Sequence, residues 1–150
     1  MTSAAEARFR VQAPNSLPRT IKVIALDAAA EEVVKTLATG GWRHATFFTA
    51  PSDDALHDLA GATRSLRGEV ETADLVVLVA GAGGHAYAAS TVGQACSDRR
   101  VTTTALLVGG ASATARDVSK TLAQLRPWSL MVVIAENDDY IGDMMTALRA

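Results

Sequence analysis

The sequence predicts an α/β domain, a three-layer Rossmann-like open parallel sheet of about five strands with helices on both faces. Three observations predict it. Short apolar runs, most of them rich in β-branched residues, recur at Ile21–Leu26, Ala45–Thr49, Asp74–Ala80, Thr102–Val108 and Leu130–Ala135. Stretches with helical spacing lie between them. The middle run, Leu75-Val76-Val77-Leu78-Val79-Ala80, is apolar at every position, as a strand covered on both faces must be.

Residues 1–19 hold Pro14, Asn15, Ser16 and Pro18 with weak periodicity and read as a flexible N-terminal arm ahead of a single domain over 20–150. After the strand Ile21–Leu26, a helix over Ala29–Thr39 carries Val33, Val34 and Leu37 on one face and stops at Gly40-Gly41. Ala45–Thr49 is the second strand. Ser52 then reads as the N-cap of a second helix, with Asp53 and Asp54 suited to its positive end. Asp74–Ala80 is expected at the centre of the sheet, between Ile21–Leu26 and Thr102–Val108, with all strands parallel. A helix from about His85 to Cys96 follows it. The strand Thr102–Val108 leaves through Gly109-Gly110 into a helix over Ala113–Leu125. Leu130–Ala135 is the fifth strand, and the final helix, Asp138–Leu148, sets Ile141, Met144, Met145 and Leu148 on one stripe. Alternating strands and helices with short connections force right-handed crossovers and hence a parallel sheet.

Composition narrows the function. The 150 residues are 49% hydrophobic and 20% charged, with net charge −2, so there is no basic footprint for nucleic acid or an anionic membrane. No run of about twenty apolar residues is present, so no membrane span is expected. Met1–Arg10 lacks the apolar segment of an export signal, and a cytoplasmic location is expected. The lone Cys96 cannot form an internal disulfide, fits a reducing compartment, and reads as a small buried hydrophobe. Three scattered histidines and one cysteine give no zinc-like spacing.

Gly81-Ala82-Gly83-Gly84 stands at the mouth of the middle strand, where open α/β sheets bind ligands. Glycines there let backbone N–H groups approach an anion, and the following helix N-terminus adds partial positive charge. They also serve merely to turn the chain tightly. Gly81, Ala82, Gly83, Gly84 and His85 are therefore the candidate residues for a small-molecule or anionic ligand, with no cofactor identified and no catalytic or metal-binding residue assigned. His85 either donates to such an anion or faces solvent at a helix start. Tyr87 is expected to pack on the neighbouring loop. Asp53 or Asp54 lies where a Rossmann acid would hold a ribose, but no G-x-G-x-x-G follows the first strand, and helix capping accounts for both. Arg116 reads as a solvated arginine, Trp42 and Trp128 as packing residues, and Ser90 has no His and Asp partners for a triad.

Ala73-Asp74-Leu75-Val76-Val77-Leu78-Val79-Ala80-Gly81-Ala82-Gly83-Gly84 resembles the strand and signature loop of the FtsZ/tubulin family of GTPases, approximately A-D-M-V-F-V-T-A-G-M-G-G-G-T-G-T-G. Ile21-Lys22-Val23-Ile24 is similar to that family's first strand. Phe47-Phe48-Thr49 through Ser52-Asp53-Asp54-Ala55-Leu56 is similar to its second strand and N-T-D-x-x-A-L turn. Leu130-Met131-Val132-Val133-Ile134 with Asn137-Asp138 is similar to its fifth strand and I-P-N-D-x-L-L. The resemblance spans residues 20–150.

Its departures are informative. Asp27-Ala28-Ala29-Ala30 replaces the family's first glycine-rich turn, placing Cβ atoms and a negative charge where phosphate would lie. His85-Ala86-Tyr87-Ala88 replaces G-T-G-T, and Gly61–Glu71 is too short for the third phosphate loop. The family's catalytic acidic loop belongs to a second domain, beyond this chain. The resemblance thus implies a non-hydrolysing domain acting by small-molecule or anion binding or by self-association; GTP hydrolysis by this chain alone is not expected. The alternative is a phosphosugar-binding, sugar-isomerase-like domain or another Rossmann-type ligand-binding enzyme or sensor, although the loop lacks the Ser or Thr that the first usually needs. A homo-oligomer is expected, because a last helix of about three turns covers only part of the sheet and leaves its Ile141–Leu148 stripe to a partner.

Overall fold

The computed structural model describes residues 19–52, 55–135, 137–148 and 150. In chain order the elements are β1 (Ile21–Ala25), α1 (Ala28–Ala38), β2 (Ala45–Ser52), β3 (Ala55–Asp58), β4 (Thr63–Ser65), α2 (Leu66–Glu71), β5 (Leu75–Gly81), α3 (Ala88–Asp98), β6 (Thr102–Val108), α4 (Ala115–Leu125), β7 (Met131–Ile134) and α5 (Asp138–Ala147). Short 3₁₀ turns at Gly110–Ser112 and Arg126–Trp128 flank α4.

The strands form one sheet in the order β4-β3-β2-β1-β5-β6-β7. The run β2-β1-β5-β6-β7 is parallel throughout. β5 is central, with Val77 opposite Val23 of β1 and Thr104 of β6. Every residue of β5 is buried, which explains its unbroken apolar sequence. Side chains alternate between two cores. Ile24, Phe48, Val76, Leu78 and Ala105 meet α2, α3 and the end of α4 on one face. Val23, Phe47, Val77, Val79 and Leu106 meet α1 and α5 on the other. Because β2 lies to one side of β1 and β6 to the far side of β5, crossovers of one hand carry α1 and α3 to opposite faces.

The sheet departs from the expected all-parallel, five-stranded form by two additional strands. Where Ser52 was expected to cap a helix, it is the last residue of β2, and β3 pairs antiparallel with β2. β3 and β4 then form an antiparallel hairpin. Its turn is made by Asp58, whose carboxylate accepts from the Ala60 and Ala62 amides at 3.0 and 2.9 Å, and by Gly61 at φ +93°. Leu56 is the buried residue of β3, flanked by half-buried Ala55 and His57. The helix of this region begins later, at Leu66, capped by Ser65. α2 is tied to the sheet by an ion pair between buried Lys22 of β1 and Glu69, 2.9 Å apart. Asp53 and Asp54, and residues 1–18 of the proposed arm over 1–19, lie outside the described residues.

α3 starts at Ala88 rather than near His85, which leaves a longer loop after β5. The expectation that the α5 stripe is left uncovered does not survive. Ile141 and Met145 are fully buried against the second core, and Met144 and Leu148 pack partly against it. No helix among the described residues is long and apolar enough to cross a membrane.

Candidate functional site at the carboxyl edge of the sheet

Strand order reverses between β1 and β5, so the crevice between their carboxyl ends is where such a sheet would hold a ligand. Two loops meet there. Asp27 follows β1, and Gly81–His85 follows β5.

Asp27 occupies the crevice. One carboxylate oxygen accepts from the Ala30 amide at 2.8 Å and caps α1; the other accepts from the Gly81 amide at 2.8 Å, 54 residues away. The contact is close enough to require glycine. A Cβ on Gly84 would lie 2.5 Å from the same carboxylate, and one on Gly81 would lie 2.7 Å from the Ala29 methyl. The glycine cluster therefore lets backbone approach a carboxylate of its own chain.

The other loop amides are also engaged. Ala82 donates to the Val108 carbonyl at 2.9 Å and Gly84 to the Gly81 carbonyl at 3.1 Å. Gly83, at φ +80°, donates to the hydroxyl of fully buried Thr121 at 3.0 Å, and Ala86 donates to Gln124 at 3.2 Å. Of the amides from Gly81 to Ala86, only that of His85 has no partner among the described residues. Asp117 lies over Gly83, where a Cβ would meet its carboxyl carbon at 3.1 Å. The loop thus runs between two carboxylates, Asp27 and Asp117, an electrostatic setting that opposes a bound anion.

His85 and Tyr87 are exposed and stacked, with ring centroids 5.3 Å apart and planes 16° from parallel. Tyr87 thus packs on the histidine rather than on a neighbouring loop. The Ser90 hydroxyl donates to the Tyr87 carbonyl at 3.1 Å, a helix-start contact with no catalytic partner in it. Asn137 caps α5 by accepting from the Tyr140 amide at 3.0 Å. Arg116 is exposed in the first turn of α4.

Asp117, Thr121 and Gln124 are the partners that sequence reading missed. Their spacing of four and three places them on one face of α4, and that pattern was the available signal. Further along the same edge, a cavity of about 300 Å³ opens between the ends of β6 and β7. Val108, Gly109, Ser112, Ala135, Asn137 and Ile141 are among the described residues that line it. Cys96 lies elsewhere, on the buried face of α3. Burial pushes its thiol pKa up, and a hydrogen bond with Thr103 offsets part of the rise, the opposite of an activated nucleophile. No group of three or more metal-binding side chains occurs among the described residues. Set against models of known protein families and against curated proteins, the chain matches none.

Proposed function

We propose that this chain is a non-hydrolysing, FtsZ/tubulin-like α/β domain that works by pairing with a second copy of itself through β7. The observation that carries the reading is the contrast between the two edges of the sheet. Among the described residues β7 has β6 as its sole neighbour, and its run Leu130-Met131-Val132-Val133-Ile134 contains no charge and no proline. Leu130, Met131 and Ile134 are 82%, 52% and 47% exposed. Such an edge offers unpaired backbone groups flanked by apolar side chains, an arrangement that natural sheets otherwise avoid. The opposite edge, Thr63-Arg64-Ser65, is short and polar, with Arg64 facing Asp58 at 3.6 Å. Charge favours a second copy over other occupants. Exposed Arg126 precedes β7 and exposed Asp139 follows it, so an antiparallel two-fold pair brings the basic end of one strand to the acidic end of its partner.

The filled crevice supports the non-hydrolysing part of the reading, since Asp27 stands where phosphate would be needed. Light scattering at tens of micromolar is the test. The wild-type chain is expected at twice its monomer mass, unchanged by GTP, while Met131→Lys and Ile134→Lys become monomeric with unaltered circular dichroism. A monomeric wild type, or a dimer indifferent to both substitutions, would overturn the proposal.

A second reading has one observation in its favour. The cavity between β6 and β7 lies at the edge where α/β sheets bind ligands, and its size is at the lower end of small-molecule pockets. A thermal-shift screen with nucleotides, flavins, nicotinamide cofactors and sugar phosphates tests it. Stabilisation that is lost in Ser112→Leu would support it, and a screen without a shift would remove it.

A further inference from the structure

At the opposite end of the strands, a cavity of about 390 Å³ lies between the end of α3 and the amino ends of β6 and β7. Ser97, Arg100, Thr103, Trp128, Ser129 and Leu130 are among its walls. Three independent features converge there.

The first is Arg100. At φ 56° it is the only non-glycine residue with positive φ among the described residues. It ends α3 with its amide bonded to the Ser97 carbonyl at 3.1 Å, while the Val101 amide reaches the Cys96 carbonyl at 2.9 Å. This is a helix C-cap in which glycine is the usual occupant. An arginine holds a left-handed backbone there at a conformational cost that glycine would avoid.

The second is Ser129. Its Oγ is the one buried side-chain polar atom without a hydrogen-bond partner among the described residues. Buried hydroxyls nearly always find a partner; this one is closed off behind the cavity wall, so it backs the cavity with unmet hydrogen-bonding capacity rather than opening into it.

The third is the surrounding chemistry. Arg99 is paired with Glu71, but Arg100 meets no carboxylate among the described residues. Trp128 is held against Gly93, where an added Cβ would lie 2.5 Å from the tryptophan Cβ. Together with exposed Leu130, it gives the cavity an apolar part alongside Arg100 among its lining residues.

We infer that this cavity binds a small organic oxyanion, a phosphate monoester or a carboxylate. The charged group of the ligand meets Arg100 and the Ser97 hydroxyl, and its apolar body lies against Trp128 and Leu130. A guanidinium fork suits either oxyanion, and the neighbouring hydroxyl adds a further donor. The site is separate from the crevice at Asp27, and it does not require β7 to be paired.

Nitrogen-15 NMR titration of the whole chain tests the inference, with the Trp42 indole as internal control. The probes are phenyl phosphate, benzoate, inorganic phosphate and neutral benzamide. Phenyl phosphate or benzoate should shift the Trp128 indole and the Arg100 and Ser129 amides saturably, and whichever binds more tightly identifies the oxyanion. Inorganic phosphate should bind more weakly, because it lacks the apolar body, and benzamide should leave these signals in place. Arg100→Gly keeps the left-handed cap and so should fold, yet lose about tenfold or more in affinity with the charged hydrogen bonds. Ser129→Ala should fold and bind as the wild type does, since its hydroxyl is closed off from the cavity. The inference fails if neither phenyl phosphate nor benzoate gives a saturable shift, or if Arg100→Gly binds as tightly as the wild type.

Discussion

Replacing Asp27 by alanine tests whether one carboxylate closes the crevice between β1 and β5. Two contacts would be lost together. Removing the cap from the Ala30 amide costs about 1 kcal/mol, as for an ordinary N-cap. Leaving the amide of buried Gly81 without its acceptor costs about 1–3 kcal/mol, less where water enters the vacated space. The sum is about 2–4 kcal/mol, which for a domain of this size lowers Tm by roughly 6–12 °C. Asp27→Asn keeps one oxygen but turns an N–H₂ group toward one of the two donors, so about half of that loss is expected. Urea unfolding should show the midpoint falling with an unchanged slope, and hydrogen exchange should show the Gly81 amide losing protection. A loss below about 0.5 kcal/mol for the alanine variant, within the range of ordinary surface changes, would refute this account. So would an unchanged Gly81 exchange rate.

Two further outcomes follow from packing and burial. Gly93→Ala would gain about 1 kcal/mol of helix propensity, but the new Cβ meets Trp128 at 2.5 Å. Overpacking of about 1–3 kcal/mol should make the change destabilising, and Trp128→Gly, which removes the Cβ and Cγ that the new methyl meets, should relieve it, so additive losses in a double-mutant cycle would contradict the contact. The Cys96 thiol should resist alkylation in the folded protein and react on unfolding, because burial raises its pKa. A group with a raised folded pKa contributes stability that is intact below the unfolded value, about 8.5, and is lost as pH rises toward the folded value. Stability should therefore decline above that pH in the wild type and decline less in Cys96→Ala; identical profiles would show that the thiol is not responsible.

The five parallel strands and the two helical layers were legible because burial on both faces leaves a plain mark, as the unbroken run Leu75–Ala80 shows. The β3–β4 hairpin was not. Ser52-Asp53-Asp54 has the composition of a helix start, and the turn that shapes the hairpin rests on Asp58 folding back onto its own backbone. At the site, the glycine cluster was legible as a place of close backbone approach. What approaches it was not, since Asp27 lies 54 residues earlier in the chain and Thr121 lies 38 residues later. The stripe Ile141–Leu148 carried the right period but no sign of whether its own sheet or another chain would receive it. The orphaned Ser129 hydroxyl has no sequence signature, because its lack of a partner depends on everything packed around it.

The unequal edges of the sheet also bear on stoichiometry. On the proposed pairing, a protomer whose described residues give one apolar edge strand and one short polar one would have a valence of one along the sheet direction. Joining through β7 would use that valence completely and leave two polar β4 rims facing outward. Growth would then end at two copies at any concentration, and the weight-average mass would approach a plateau instead of climbing. Filament formation along this direction would require a second bare edge, which a change confined to Thr63–Ser65 could create.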